Sequence, residues 1–83
     1  MALRQSFEYA GLVAPTGYIK VENVTVDANS MTAMVVWRAE QAAAPIRNKL
    51  YSLPYELNGV NPLAQAYAGL KALAEFYGAV DLL

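Results

Sequence analysis

The sequence predicts an α+β domain: a small antiparallel β-sheet of three to four strands with one C-terminal α-helix packed on it. Three observations carry this. Residues 18–26 and 31–38 are rich in β-branched and aromatic types and flank a turn-forming tetrapeptide. Residues 50–57 alternate apolar with polar. Residues 62–77 carry an apolar stripe at helical spacing, with start and stop signals at its ends. At 83 residues the chain fits one domain spanning 1–83.

Residues 1–15 mix apolar and polar types without a sustained period. Phe7 and Tyr9 alternate with Ser6 and Glu8, which predicts a short strand or an extended arm. Pro15-Thr16-Gly17 reads as a turn. In the strand over 18–26, Ile19 and Val21 share one parity while Val24 and Val26 share the other. A strict two-residue period cannot bury all of them on one face, so a bulge near Glu22-Asn23 is expected. Asp27-Ala28-Asn29-Ser30 is a turn by composition, and the strand after it closes an antiparallel hairpin.

Residues 40–49 read as a loop. Ala42, Ala43 and Ala44 favour a helical turn, but Pro45 disfavours helical angles in the residue before it. Residues 50–57 then place Tyr51, Leu53, Tyr55 and Leu57 on one face. Pro54 has no backbone donor, which predicts an edge strand or a bulge.

The helix has the most explicit signals. Asn61 can accept from the free amides of a first turn, and Pro62 suits the first helical position. Leu63, Ala66, Tyr67, Leu70, Leu73, Ala74 and Tyr77 form the stripe. Lys71 and Glu75 stand four apart, at pairing distance on a helix, and Gly78 suits a left-handed cap.

Composition restricts function. Hydrophobic residues make up 57% and charged residues 16% of the chain, against about a quarter charged in typical domains. So short a chain has a thin core, and natural domains of this size add disulfides, metals or partner subunits. With no cysteine and no histidine, disulfides and Cys/His zinc sites are excluded, leaving association as the available support. Net charge is −1 with no basic run, which disfavours nucleic-acid binding. No apolar run approaches the ~20 residues of a membrane span. Residues 1–5 lack the basic and apolar regions of a signal peptide. The expected setting is a cytoplasm, with the product soluble or assembled into something larger.

No catalytic, cofactor or metal residues are identified. The usual general bases and soft ligands are missing, the seven carboxylates are scattered, and the five glycines form no phosphate-cradling motif. Candidate partner contacts are Phe7, Tyr9 and Tyr18 in weakly patterned sequence, Arg47 and Lys49 in the 40–49 loop, and the Ala64, Ala68, Ala72 strip. That strip either admits a neighbouring backbone or reflects alanine's helix propensity on an exposed face. Tyr51, Tyr55, Tyr67 and Tyr77 are expected in the core.

From Leu57 onward the chain resembles small, mostly uncharacterised proteins of tailed bacteriophages and prophages. The matching residues are Gly59, Asn61, Pro62, Gln65, Ala66, Tyr67, Leu70, Lys71, Glu75, Phe76 and Asp81, with the Tyr18-Ile19-Lys20-Val21 strand upstream. Proline often precedes the Glu-Phe pair in those proteins, whereas Ala74 stands here. The resemblance implies a phage origin, a gene among virion structural genes, synthesis in a bacterial host cytoplasm and a place in the virion, and carries no defined activity. The expected function is a virion structural or assembly protein, tail-associated or head-decorating, partnered by itself or by other virion proteins. The alternative is a small phage-encoded binding protein that regulates or inhibits a host protein.

Overall fold

The structure, a computed structural model, describes residues 2–82. Its strands are β1 Ala2–Arg4, β2 Phe7–Tyr9, β3 Leu12–Ala14, β4 Tyr18–Asp27, β5 Ser30–Arg38, β6 Pro45–Pro54 and β7 Val80–Leu82. Helix α1 spans Pro62–Lys71, and a 3₁₀ turn spans Ala74–Phe76. The main sheet has five strands in the order β6-β5-β4-β1-β7, and β2 and β3 form a separate hairpin. All these neighbours pair antiparallel. The fold is α+β as expected, with two more short strands in the sheet than residue patterning reveals.

The bulge falls at Glu22. Register passes from Val21 opposite Val35 to Asn23 opposite Met34, so Glu22 is the extra residue. This resets the phase and brings Val24 opposite Ala33, on the face already holding Ile19 and Val21. The β4–β5 turn closes at Asp27, whose Oδ1 accepts from the Ala28 amide at 2.9 Å.

One face of the sheet bears the core. Leu3, Ile19, Val21, Met31, Ala33, Val35, Trp37, Tyr51 and Leu53 meet Ala66, Tyr67 and Leu70 of α1 there. The buried Tyr67 hydroxyl accepts from the Val21 amide at 2.9 Å, tying helix to sheet.

Residues 2–4, 7–9 and 12–14 form short strands, the first of the two expected alternatives, and the segment is not an extended arm (Met1, in the same span, lies outside the described residues). Leu3 is fully buried, and β1 sits between β4 and β7. The β2–β3 turn holds both Ala10 and Gly11 at positive φ, 52° and 84°, matching the right-handed twist of the strands it joins.

The 40–49 loop is shorter than expected. β6 begins at Pro45, so Arg47 and Lys49 are strand residues. Pro54 does lie on the edge strand. The Tyr55 amide donates to the Asn29 carbonyl at 3.2 Å. Carried along the register, that bond turns odd residues of β6 toward β5 and even ones toward the open edge. Pro54 therefore lacks a donor where no ladder bond is needed. On the strand's expected inward face Tyr51 and Leu53 are buried, but Leu57 lies beyond the strand end and is 79% exposed.

The helix starts as read: Asn61 Oδ1 accepts from the Ala64 amide at 2.8 Å, and Pro62 opens the first turn. It stops at Lys71 rather than continuing to 77. Leu73 is extended (φ −80°, ψ 144°), and the 3₁₀ turn follows. The break rotates Phe76 into the core at 2% exposure and leaves Tyr77 outside at 88%. Tyr77 is thus a surface residue, and the end of the expected stripe is replaced by Phe76. Leu63 of the stripe is also exposed, at 42%. Lys71 pairs with Asp81 of β7 at 2.9 Å, not with Glu75. Gly78 is left-handed (φ 89°), but it follows the 3₁₀ turn rather than α1.

Two substitutions test these assignments. Leu3→Ala is expected to cost about 2–5 kcal/mol in chemical denaturation, as for a buried leucine and unlike an arm residue. Ala10→Asn is expected to stabilise by about 0.5–1 kcal/mol, because alanine resists the left-handed conformation that asparagine tolerates.

Candidate interaction surface

Aromatic packing dominates the part of the core face that α1 does not reach. Trp37 and Phe76 stack with centroids 6.0 Å apart, and Tyr51 meets Phe76 edge-on at 5.7 Å. Cations cover this layer. The Arg47 guanidinium lies 4.5 Å from the Trp37 ring and 5.5 Å from the Tyr9 ring, so it joins β6 to the β2–β3 hairpin. The Lys49 ammonium lies 4.9 Å from the Tyr51 ring. The Tyr51 hydroxyl donates to Glu75 Oε1 in the 3₁₀ turn. Gln5 fastens that turn from below by donating to the carbonyls of Glu75 and Tyr77 at 3.2 and 3.1 Å. Phe7 packs over Gly17, where any β-carbon would collide with its ring and with the Gln5 carbonyl.

Of the residues singled out as contact candidates, Phe7, Tyr9, Arg47 and Lys49 thus gather at one end of the core face. Phe7 and Arg47 are half-buried, while Tyr9 and Lys49 are exposed. Tyr18 lies on the opposite face, across from Arg38. There it borders a shallow depression of about 220 Å³ with Lys20, Glu22, Arg38 and Gln41. Glu22 is already engaged by Arg38 at 3.1 Å and by Lys20 at 3.9 Å.

The alanine strip does not act as a unit. Ala64 is partly buried, and Ala68 and Ala72 are exposed. Ala68 lines a groove of about 360 Å³ between α1 and the loop after β6. Gln65 holds that loop, accepting from the Glu56 amide at 2.8 Å and donating to the Glu56 and Val60 carbonyls at 2.9 and 2.6 Å.

Leu50 escaped the sequence reading. It stands 65% exposed on the sheet face away from α1, directly opposite Met34 and between Asn48 and Ser52. Its signal was available: one leucine out of phase in an otherwise regular alternation.

Among the described residues no three acidic, histidine or cysteine side chains group closely enough to hold a metal ion, and no helix is long and apolar enough to cross a membrane. No family model matches the chain, and no curated protein or solved structure proved similar to it.

Burial, then the Glu75 hydrogen bond and charge, push the Tyr51 hydroxyl well above its ordinary value of 10.0, against a smaller opposing effect of Arg47. A pKa raised by folding adds stability that is complete below the unfolded pKa and lost as pH rises past it. Stability is therefore expected to fall above about pH 10, with a shallower slope in Tyr51→Phe, measured by denaturation from pH 8 to 11. Trp37 is the sole tryptophan. Arg47→Ala is expected to red-shift its fluorescence by uncovering the ring.

Proposed function

We propose that this protein is a bacteriophage virion structural or assembly protein, tail-associated or head-decorating, that acts by non-covalent association and has no enzymatic activity. The observation that carries the association is the amount of large apolar surface left outside the core. Leu57, Val60, Leu50, Tyr77 and Val80 are each more than half exposed on an 83-residue chain. Of these, Leu50 adjoins Met34 across the β5–β6 ladder, and apolar surface that runs on between neighbours in this way is the kind that assembly buries. The phage setting is supported by the motif resemblance of the segment from Leu57 onward, whose residues Asn61, Pro62, Tyr67 and Leu70 cap, start and pack α1.

The expected particle is one in which copies dock repeatedly in a symmetric array. Mass spectrometry of purified virions tests this directly: the chain is expected among the particle proteins, and its absence would sink the reading. A single stoichiometric host partner in a pull-down would instead favour a host-directed binding protein. Sedimentation at micromolar concentration is expected to give a mass above the 9.0 kDa of one chain.

A further inference from the structure

We propose that two copies of this chain pair edge to edge through β6, antiparallel, across a two-fold axis at Leu50, joining their sheets into one. This deepens the association reading above and rests on its self-association part. β6 ends the sheet, and among the described residues no strand pairs with its outer side. The backbone amides and carbonyls of Asn48, Leu50 and Ser52 turn outward there, a row of unmet donors and acceptors.

Side-chain chemistry selects both the partner and the register. An antiparallel strand pairs naturally with its own copy across a two-fold axis, provided outward residues oppose outward residues. An axis at Lys49 would set that residue against itself, and one at Asn48 would set Arg47 against Lys49. Like charges directly opposite are destabilising. Axes at Tyr51 or Ser52 bring Pro54, which lacks a donor, against Asn48 or Leu50. With the axis at Leu50, Leu50 opposes the partner's Leu50 and Asn48 opposes the partner's Ser52, so the central pairs contain no proline.

Two further features fit this register. Lys49 comes opposite the partner's Tyr51, whose hydroxyl holds a carboxylate within its own chain. Met34 lies directly across from Leu50. The two leucines therefore join the methionines of both copies into one apolar strip on the face away from α1, burying a side chain that is 65% exposed in the single chain.

The test uses the full chain, which has no cysteine of its own. Wild type is expected to sediment as a dimer at micromolar concentration. Leu50→Lys and Ser52→Pro are expected to raise the dissociation constant tenfold or more, with circular dichroism unchanged. Opposed α-carbons in such a pair lie about 5.5 Å apart, within disulfide reach. Leu50→Cys should therefore form a covalent dimer on oxidation, while Asn48→Cys and Ser52→Cys form one only when mixed with each other. A monomer at every concentration overturns the proposal without bearing on presence in virions. An oligomer indifferent to Leu50→Lys, with Leu50→Cys uncrosslinked, overturns the β6 interface and leaves self-association standing.

Discussion

A single helix of ten residues cannot cover one face of this sheet, and much of the structure follows from that shortfall. α1 contributes Pro62–Lys71, about 15 Å of axis. β4 and β6 are ten residues each, roughly 33 Å of strand. The rest of the core face must be closed by other means. The chain breaks at Leu73 and turns Phe76 inward, lays the β2–β3 hairpin across the remaining space, and spreads Arg47 over Trp37. Tyr77 is left outside by the same move.

Much of this was legible where one residue has one local job. The bulge at Glu22 followed from the parity conflict of Ile19 and Val21 with Val24 and Val26, Asn61 and Pro62 marked the helix start, and Pro54 marked an edge. The misses share a different cause. β1 and β7 are three residues each, too short for a period to show, and exist only through their neighbours. The helix break has no local breaker: Leu73 and Ala74 are good helix formers, and burial of Phe76 against Trp37 and Tyr51 overrides their propensity. Pro45 ends a helical pattern and so suggests a loop around Arg47 and Lys49, yet proline is equally acceptable as the first residue of an edge strand.

The candidate contact residues divide for the same reason. Phe7 stands in poorly patterned sequence because it fills the gap beyond α1, a tertiary demand, whereas Tyr18 lies on the other sheet face across from Arg38. The surface that stays unmet is elsewhere, at the outer edge of β6 and the sheet face beside it. Leu50 is conspicuous there because its near neighbours Asn48 and Ser52 are polar. In a chain without cysteine, and so without a disulfide to reinforce it, a partner at that edge would add support of the kind a small core lacks.

The pairing of Ala2 with Leu82 also bears on how the chain reaches this fold. β4, β5 and β6 are consecutive and joined by short turns, so their contacts close quickly from local encounters. β1 and β7 come from opposite ends of the chain, and their ladder closes the largest loop in the molecule, at the highest entropic cost. β1 in turn meets β4 only at Tyr18 and Ile19. Contacts within the β4–β5–β6 meander are thus the quickest to close, and joining the ends adds only a short flap of strands beside it, so that among the described residues both the outer side of β6 and the stretch of β4 beyond Ile19 lack a neighbouring strand.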